Sequence, residues 1–138
     1  IARCDALWPN GLDDVLARGA AYIEAGADML FCEVRDSMEE IETIAETFRG
    51  RVPLHWNHSP SPMVPRLSAK EIEALGFKTC CFYVQALMAG VKTMQRVLAH
   101  IHANGTSAGL EDDMIEFDEL WDLLGIDDVR EMEKKYAV

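Results

Sequence analysis

No apolar run in this sequence approaches the roughly 20 residues that a bilayer-spanning helix needs. Cysteine is scarce, four in 138 residues, with Cys80 and Cys81 adjacent and no Cys-x-x-Cys. That argues against a disulfide scaffold or a zinc ribbon and points to a reducing, cytoplasmic compartment. No Gly-x-Gly-x-x-Gly follows an apolar stretch and no Walker sequence is present. A dinucleotide fold and a P-loop therefore lack support. Bases are few, 13 Lys and Arg against 24 Asp and Glu, for a net charge of −11. Phosphate backbones need clustered cations, so nucleic acid is not an expected partner, and neither is a membrane.

What is present suits a globular fold. The chain is 49% hydrophobic and 27% charged, enough to bury a core in about one domain. The acid is concentrated at one end: residues 111–138 hold eleven Asp and Glu against three Lys and Arg. Such runs read as solvated helical faces. Ile1-Ala2-Arg3-Cys4 reads as a strand already under way, with no initiator Met. The numbering is therefore expected to start inside a longer protein.

The order of patterns is strand, helix, strand, helix. Ile1–Cys4 is a short strand and Trp8-Pro9-Asn10-Gly11 a turn. Leu12, Val15, Leu16, Ala20 and Ile23 follow helical spacing up to Gly26, and Met29–Cys32 is a buried strand with Glu33 at its end. Ser37 with Glu40 and Ser68 with Glu71 are capping boxes that open two further helices. Val52–Trp56 and Thr79–Tyr83 are the remaining strands, with a proline-rich loop from Pro60 to Pro65 between them. Ala86–Ala103 is a long helix whose Leu87, Val91, Met94, Val97, Leu98 and Ile101 should face inward. A link over Thr106–Asp113 and helices over Phe117–Leu124 and Val129–Tyr136 close the chain. Residues 1–105 thus form four strand–helix units, and 106–138 an acidic link with terminal helices. Helical crossovers make the strands parallel, and such a sheet is expected to be covered on both faces. Four units make either a small doubly wound sheet or half of an eight-stranded barrel.

Parallel strands bring their C-terminal ends to one rim. Here the ends carry Arg3 with Asp5, Glu33 with Arg35, Asn57 with His58 and Ser59, and Tyr83 with Gln85. A guanidinium, a carboxylate and an amide on one rim suit a small anionic substrate and a developing oxyanion. His55 and His58 are three apart in an extended segment, so they read as one packed and one loop histidine rather than a metal pair. His100 and His102 lie near a helix end, where they meet its dipole. Cys4 and Cys32 read as small buried apolar residues.

Ile1-Ala2-Arg3-Cys4-Asp5-Ala6 resembles the Ile-Ala-Arg-Thr-Asp-Ala motif of the isocitrate lyase/phosphoenolpyruvate mutase superfamily. Tyr22 to Asp28, Phe31-Cys32-Glu33, Pro53-Leu54-His55-Trp56-Asn57, Leu75-Gly76-Phe77 and Phe117-Asp118-Glu119-Leu120 resemble its later segments. The look is that of the methylisocitrate lyase/carboxyphosphonoenolpyruvate phosphonomutase branch. The resemblance implies an α/β fold of the (β/α)8 TIM-barrel type, with this chain matching the second half plus C-terminal helices. It implies Mg²⁺-assisted cleavage or formation of a C–C or P–C bond next to a 2-oxo acid carboxylate, through a pyruvate enolate. Arg3 would then bind a substrate carboxylate or phosphonate, Glu33 would act beside metal and substrate, and Asn57 and Ser59 would contact the substrate's anionic group. Direct metal ligands are expected outside this half. The partners implied are a small 2-oxo or 2-hydroxy acid and further copies of the chain, as a dimer or tetramer that exchanges C-terminal helices.

The sequence also departs from the family. The family's Lys-Lys-Cys-Gly-His loop and metal-binding aspartates belong to its first half, which residues 1–138 do not contain. His58-Ser59-Pro60-Ser61-Pro62 stands where the family often has a Glu and glycines. Gln85-Ala86-Leu87-Met88 stands where it has Ser-x-x-Arg, which argues against a tricarboxylate such as methylisocitrate. An inactive relative, or a half-barrel serving as a structural subunit, is the alternative expectation.

Overall fold

The computed structural model describes residues 1–35 and 37–137. Contacts divide the chain into two units, Ile1–Ala86 and Leu87–Val138. In the first, β1 (Ala2–Cys4) leads through α1 (Leu7–Asn10) and α2 (Leu12–Glu24) to β2 (Leu30–Cys32). Then come α3 (Met38–Phe48), β3 (His55–Asn57), α4 (Ala69–Leu75) and β4 (Thr79–Cys81). The fold is α/β, and every strand pairing is parallel. β1 pairs with β2, β3 pairs with β4, and a bridge from Leu30 to Leu54 joins the two pairs.

The helix ends follow the sequence signals with one exception. Gly26, at φ 93°, ends α2: its N–H donates to the Ile23 carbonyl, and the Ala27 N–H to that of Tyr22. This double bond pattern closes the last turn in the left-handed conformation that glycine allows. Ser68 and Glu71 form the full reciprocal capping box on α4. On α3, Ser37 accepts from the Glu40 N–H, but the Glu40 carboxylate is paired with Arg35 instead of returning to the cap. The ion pair takes the acid that the box would need.

Trp8-Pro9-Asn10 is part of α1, a single helical turn rather than the expected turn. Proline costs nothing there, because N–H groups of a first turn have no helical partner. The third strand begins at His55, three residues later than expected. Before it, the Pro53 carbonyl accepts from the Leu30 N–H at 3.0 Å, and Leu54 makes one bridge.

Strand alternation splits the side chains cleanly. Cys4, Leu30, Cys32, Leu54 and Trp56 join Val15, Ile41, Ile44, Phe48 and Ile72 in one buried cluster. Arg3, Phe31, His55, Asn57, Thr79 and Cys81 alternate to the other face. That face is only partly packed: Phe31 is buried, His55 and Asn57 are half-buried, and Arg3 and Thr79 are exposed. Within Ile1–Ala86 no second layer of helices packs on that face among the described residues.

The second unit is helical, with α5 (Gln85–Asn104), a 3-10 turn at Glu111–Asp113, α6 (Phe117–Leu123) and α7 (Ile126–Tyr136). The inward face expected of α5 is not buried: Leu87, Val91, Met94, Leu98 and Ile101 are exposed. His100 Nε2 meets the Ala108 carbonyl at 3.0 Å. No helix among the described residues is long and apolar enough to cross a membrane.

Candidate functional site

The C-terminal ends of β1 and β2 hold a charged cluster. Arg3 Nε donates to Asp5 Oδ1 at 2.8 Å, and its Nη2 donates to Glu33 Oε2 at 3.1 Å. The Glu33 backbone N–H donates to the Cys4 carbonyl at 2.9 Å, which fixes where Glu33 leaves the sheet. The guanidinium lies over the Phe31 ring, 4.8 Å from its centre. Arg3 is thus oriented by two carboxylates and an aromatic face, and half its side chain remains open to a ligand.

The two members of the pair are tuned unequally. The Arg3 pKa is raised, first by its hydrogen bond to Asp5. Glu33 is raised too, which is unusual for a carboxylate beside a cation. Burial is the larger cause; Arg3 pulls the other way and the Asp5 charge adds to the rise. The cation is shared, so it does not offset the desolvation of Glu33. A carboxyl held above its ordinary range is better able to hold or pass a proton.

Asn57 ends β3. Its Oδ1 lies 3.1 Å from His55 Nε2, and His55 Nδ1 lies 2.7 Å from Thr79 Oγ1. The structure joins Arg3 to Glu33 directly and sets Asn57 on the same edge through parallel pairing. Ser59 is buried in the loop beyond, where its hydroxyl accepts from the Ser61 N–H at 3.2 Å. His58 stacks on Phe82, and Gln85 donates to the His58 carbonyl. Cys4 and Cys32 are buried neighbours, and burial, then Cys4, pushes the Cys32 thiol up to about 12.

Sequence reasoning placed Asp5 on the rim without a role and missed His55 as a site member. Both were legible in principle. Asp5 lies two residues from Arg3, and His55 lies two from Asn57, so strand alternation puts His55 and Asn57 on one face.

The cluster does not make a magnesium site. Asp5 and Glu33 both point at the Arg3 guanidinium, which competes with any cation for the same oxygens. Among the described residues no three His, Cys, Asp or Glu side chains gather as metal ligands.

An open cleft of about 260 Å³ adjoins Arg3, lined also by Asp5, Asn10, Arg18 and Tyr22. A larger one, about 530 Å³, lies at the opposite strand ends beside Arg49, Arg51 and Lys78. One of its cations has a structural use: Arg49 Nη2 donates to the Leu75 carbonyl at the end of α4, at 2.8 Å. The rim bearing Arg3 is the better candidate, because a cation held by two carboxylates lies at strand C-termini, with Asn57 at the end of β3 on the same edge, although the cleft itself is lined by neither Glu33 nor Asn57.

Parallel strands linked through helices, with charged residues at their C-terminal ends, are the layout of α/β folds whose sites lie at one sheet edge. A family model described as phosphoenolpyruvate phosphomutase matches residues 1–102, and the chain belongs to that family. The 2,3-dimethylmalate lyase of Eubacterium barkeri is 36% identical over 137 residues, covering 99% of this chain and 47% of that protein. The 2-methylisocitrate lyase of Halalkalibacterium halodurans is 33% identical over 138 residues, covering 99% and 45%. A phosphonopyruvate hydrolase solved in complex with oxalate and Mg²⁺ superposes with a TM-score of 0.85 at 27% identity, covering 99% of this chain and 48% of that one. The chain therefore spans about half the length of the relatives it matches. The expected relation to the isocitrate lyase/phosphoenolpyruvate mutase superfamily is shown.

Proposed function

We propose that residues 1–138 are the second half, strands five to eight, of a (β/α)8-barrel enzyme. Residues 1–105 would supply the half-barrel, and 106–138 an acidic link with terminal helices. The whole protein cleaves or forms a C–C or P–C bond next to the carboxylate of a 2-oxo acid. The observation that carries this reading is Arg3 clamped between Asp5 and Glu33 at the strand ends, with Asn57 on the same edge.

Breaking such a bond leaves negative charge on the 2-oxo acid oxygen, as an enolate. Arg3 binds the substrate carboxylate or phosphonate. The Asn57 amide donates to an anionic oxygen, and Ser59 lies along the loop that follows. Donors fixed before the reaction stabilise that charge without reorganising. Glu33 handles a proton near the reacting atoms, consistent with its raised pKa. Magnesium is a requirement of the whole protein, with ligands from outside residues 1–138.

The substrate is a small 2-oxo or 2-hydroxy acid carrying a second acidic group. Gln85 to Met88 holds no arginine for a further carboxylate, which favours a compact diacid such as 2,3-dimethylmalate over 2-methylisocitrate. The protein works in the cytoplasm, consistent with four free thiols, as a dimer or tetramer that exchanges terminal helices.

The test is pyruvate or other 2-oxo acid release by the full-length protein. The panel is 2,3-dimethylmalate, 2-methylisocitrate and phosphonopyruvate, with and without a chelator. Turnover that stops with chelation and returns with Mg²⁺ is expected. No turnover on any of the three would refute the reading.

A further inference from the structure

We infer that His55 is a positioning residue that fixes which end of the Asn57 amide faces the substrate. The inference rests on the reading of Asn57 as a substrate contact.

The His55 ring stands edge-on to Phe31, with centroids 5.3 Å apart and planes at 89°. Phe31 in turn lies under Arg3. One aromatic side chain therefore supports both the guanidinium and the imidazole. The ring nitrogens meet Thr79 Oγ1 at 2.7 Å and Asn57 Oδ1 at 3.1 Å. All these residues lie on β1 to β4 or between paired positions of them: His55 is in register with Thr79, and Arg3 with Phe31.

The direction of the chain of hydrogen bonds follows from the acceptors. The Thr79 hydroxyl has one proton to give. Its acceptors within the protein are His55 Nδ1 at 2.7 Å and the Met29 thioether at 3.7 Å. The imidazole nitrogen is nearer and is the stronger acceptor. A neutral imidazole that accepts at Nδ1 carries its proton at Nε2. That Nε2–H donates to Asn57 Oδ1. The amide oxygen is then occupied, and the two N–H donors of Asn57 are left for the ligand. The reverse arrangement would turn the amide oxygen outward, toward an anion it repels. Thr79 thus sets the tautomer, the tautomer sets the amide, and the amide presents donors to a carboxylate or enolate oxygen.

The test uses the full-length protein with ¹⁵N-labelled histidine. The His55 resonances are assigned by their loss in His55→Gln. Nδ1 unprotonated and Nε2 protonated is the expected state, in the free protein and with oxalate added. A ring protonated at Nδ1 overturns the proposal. This readout needs no turnover, so an inactive protein would refute the proposed function while the tautomer still decides the role of His55.

Kinetics supply the second arm. His55→Leu is expected to raise KM about tenfold, the scale of one lost hydrogen bond, with a smaller change in kcat. His55→Gln, which keeps a donor near the Nε2 position, should recover most of the loss. In an Asn57→Ala background His55→Leu should have no further effect. An unchanged KM in His55→Leu, or an equal loss without Asn57, contradicts the inference.

Discussion

The two units of this chain differ in what they bury. In Ile1–Ala86, Leu7, Val15, Leu30, Ile41 and Phe48 have no exposed surface at all. In Leu87–Val138, Leu110 is the buried hydrophobic among the described residues, while Phe117, Leu123 and Tyr136 are more than two-thirds exposed. Both regions have helices of regular amphipathic pattern. The pattern alone makes a helix; only a packed partner makes a core. The first unit supplies its own partner as a sheet, and that sheet is what orders Arg3, Glu33 and Asn57. The second presents apolar faces of the kind that mark an interaction surface.

Substitutions sharpen this contrast. Phe48→Ala should lose about 3–5 kcal/mol, because it empties a site in the buried cluster. Leu98→Ala, 66% exposed, should cost no more than about 0.5 kcal/mol at concentrations where the protein is monomeric. Urea denaturation of both variants measures the difference. Equal losses would break the contrast.

Two helical glycines give a finer version. A Cβ at Gly19 would stand 2.5 Å from the Phe48 ring, which is locked in the core, whereas one at Gly90 meets nothing within 4 Å. Gly19→Ala should destabilise by about 1–3 kcal/mol through overpacking. Gly90→Ala should stabilise by about 0.5–1 kcal/mol by reducing unfolded-state freedom. Thermal melts check both, and a destabilised Gly90→Ala would reveal that this face of α5 is covered in the working protein.

The smallest effect concerns Glu33. Its pKa is raised by burial, so the fold favours the protonated form. That contribution is present at low pH and lost as pH rises from the unfolded carboxylate range through the raised value. Glu33→Gln stays neutral throughout. It should match the wild type near about pH 4 and equal or slightly exceed it near about pH 7, judged by melting temperature. A variant less stable at the higher pH would mean that the Arg3 pair outweighs burial.

The sequence was most readable where one residue had one use. Gly26 and the Ser68–Glu71 box end and begin helices as expected. Reading was poorer where a residue had a competing partner. Glu40 leaves its cap for Arg35, and Pro9 sits in a helical turn that has no use for its missing N–H. Spacing shows which residues of the α5 stripe share a face, not what covers it, so its exposure is not legible in the sequence. At the site, the strand ends revealed Arg3, Glu33 and Asn57 as neighbours on a rim. The sharing of Arg3 between two acids, and the link from His55 to Asn57, required distances.

In the proposed function Arg3, oriented by Asp5 and Glu33, grips the acidic group of a 2-oxo or 2-hydroxy acid. The direct measurement is kcat/KM of the full-length protein and its Arg3→Ala variant on the substrate found in the panel. A fall of about 10²–10³-fold is predicted, the scale of losing a preorganised charge partner at the reacting centre. An Arg3→Ala variant that folds and retains wild-type kcat/KM would contradict the account.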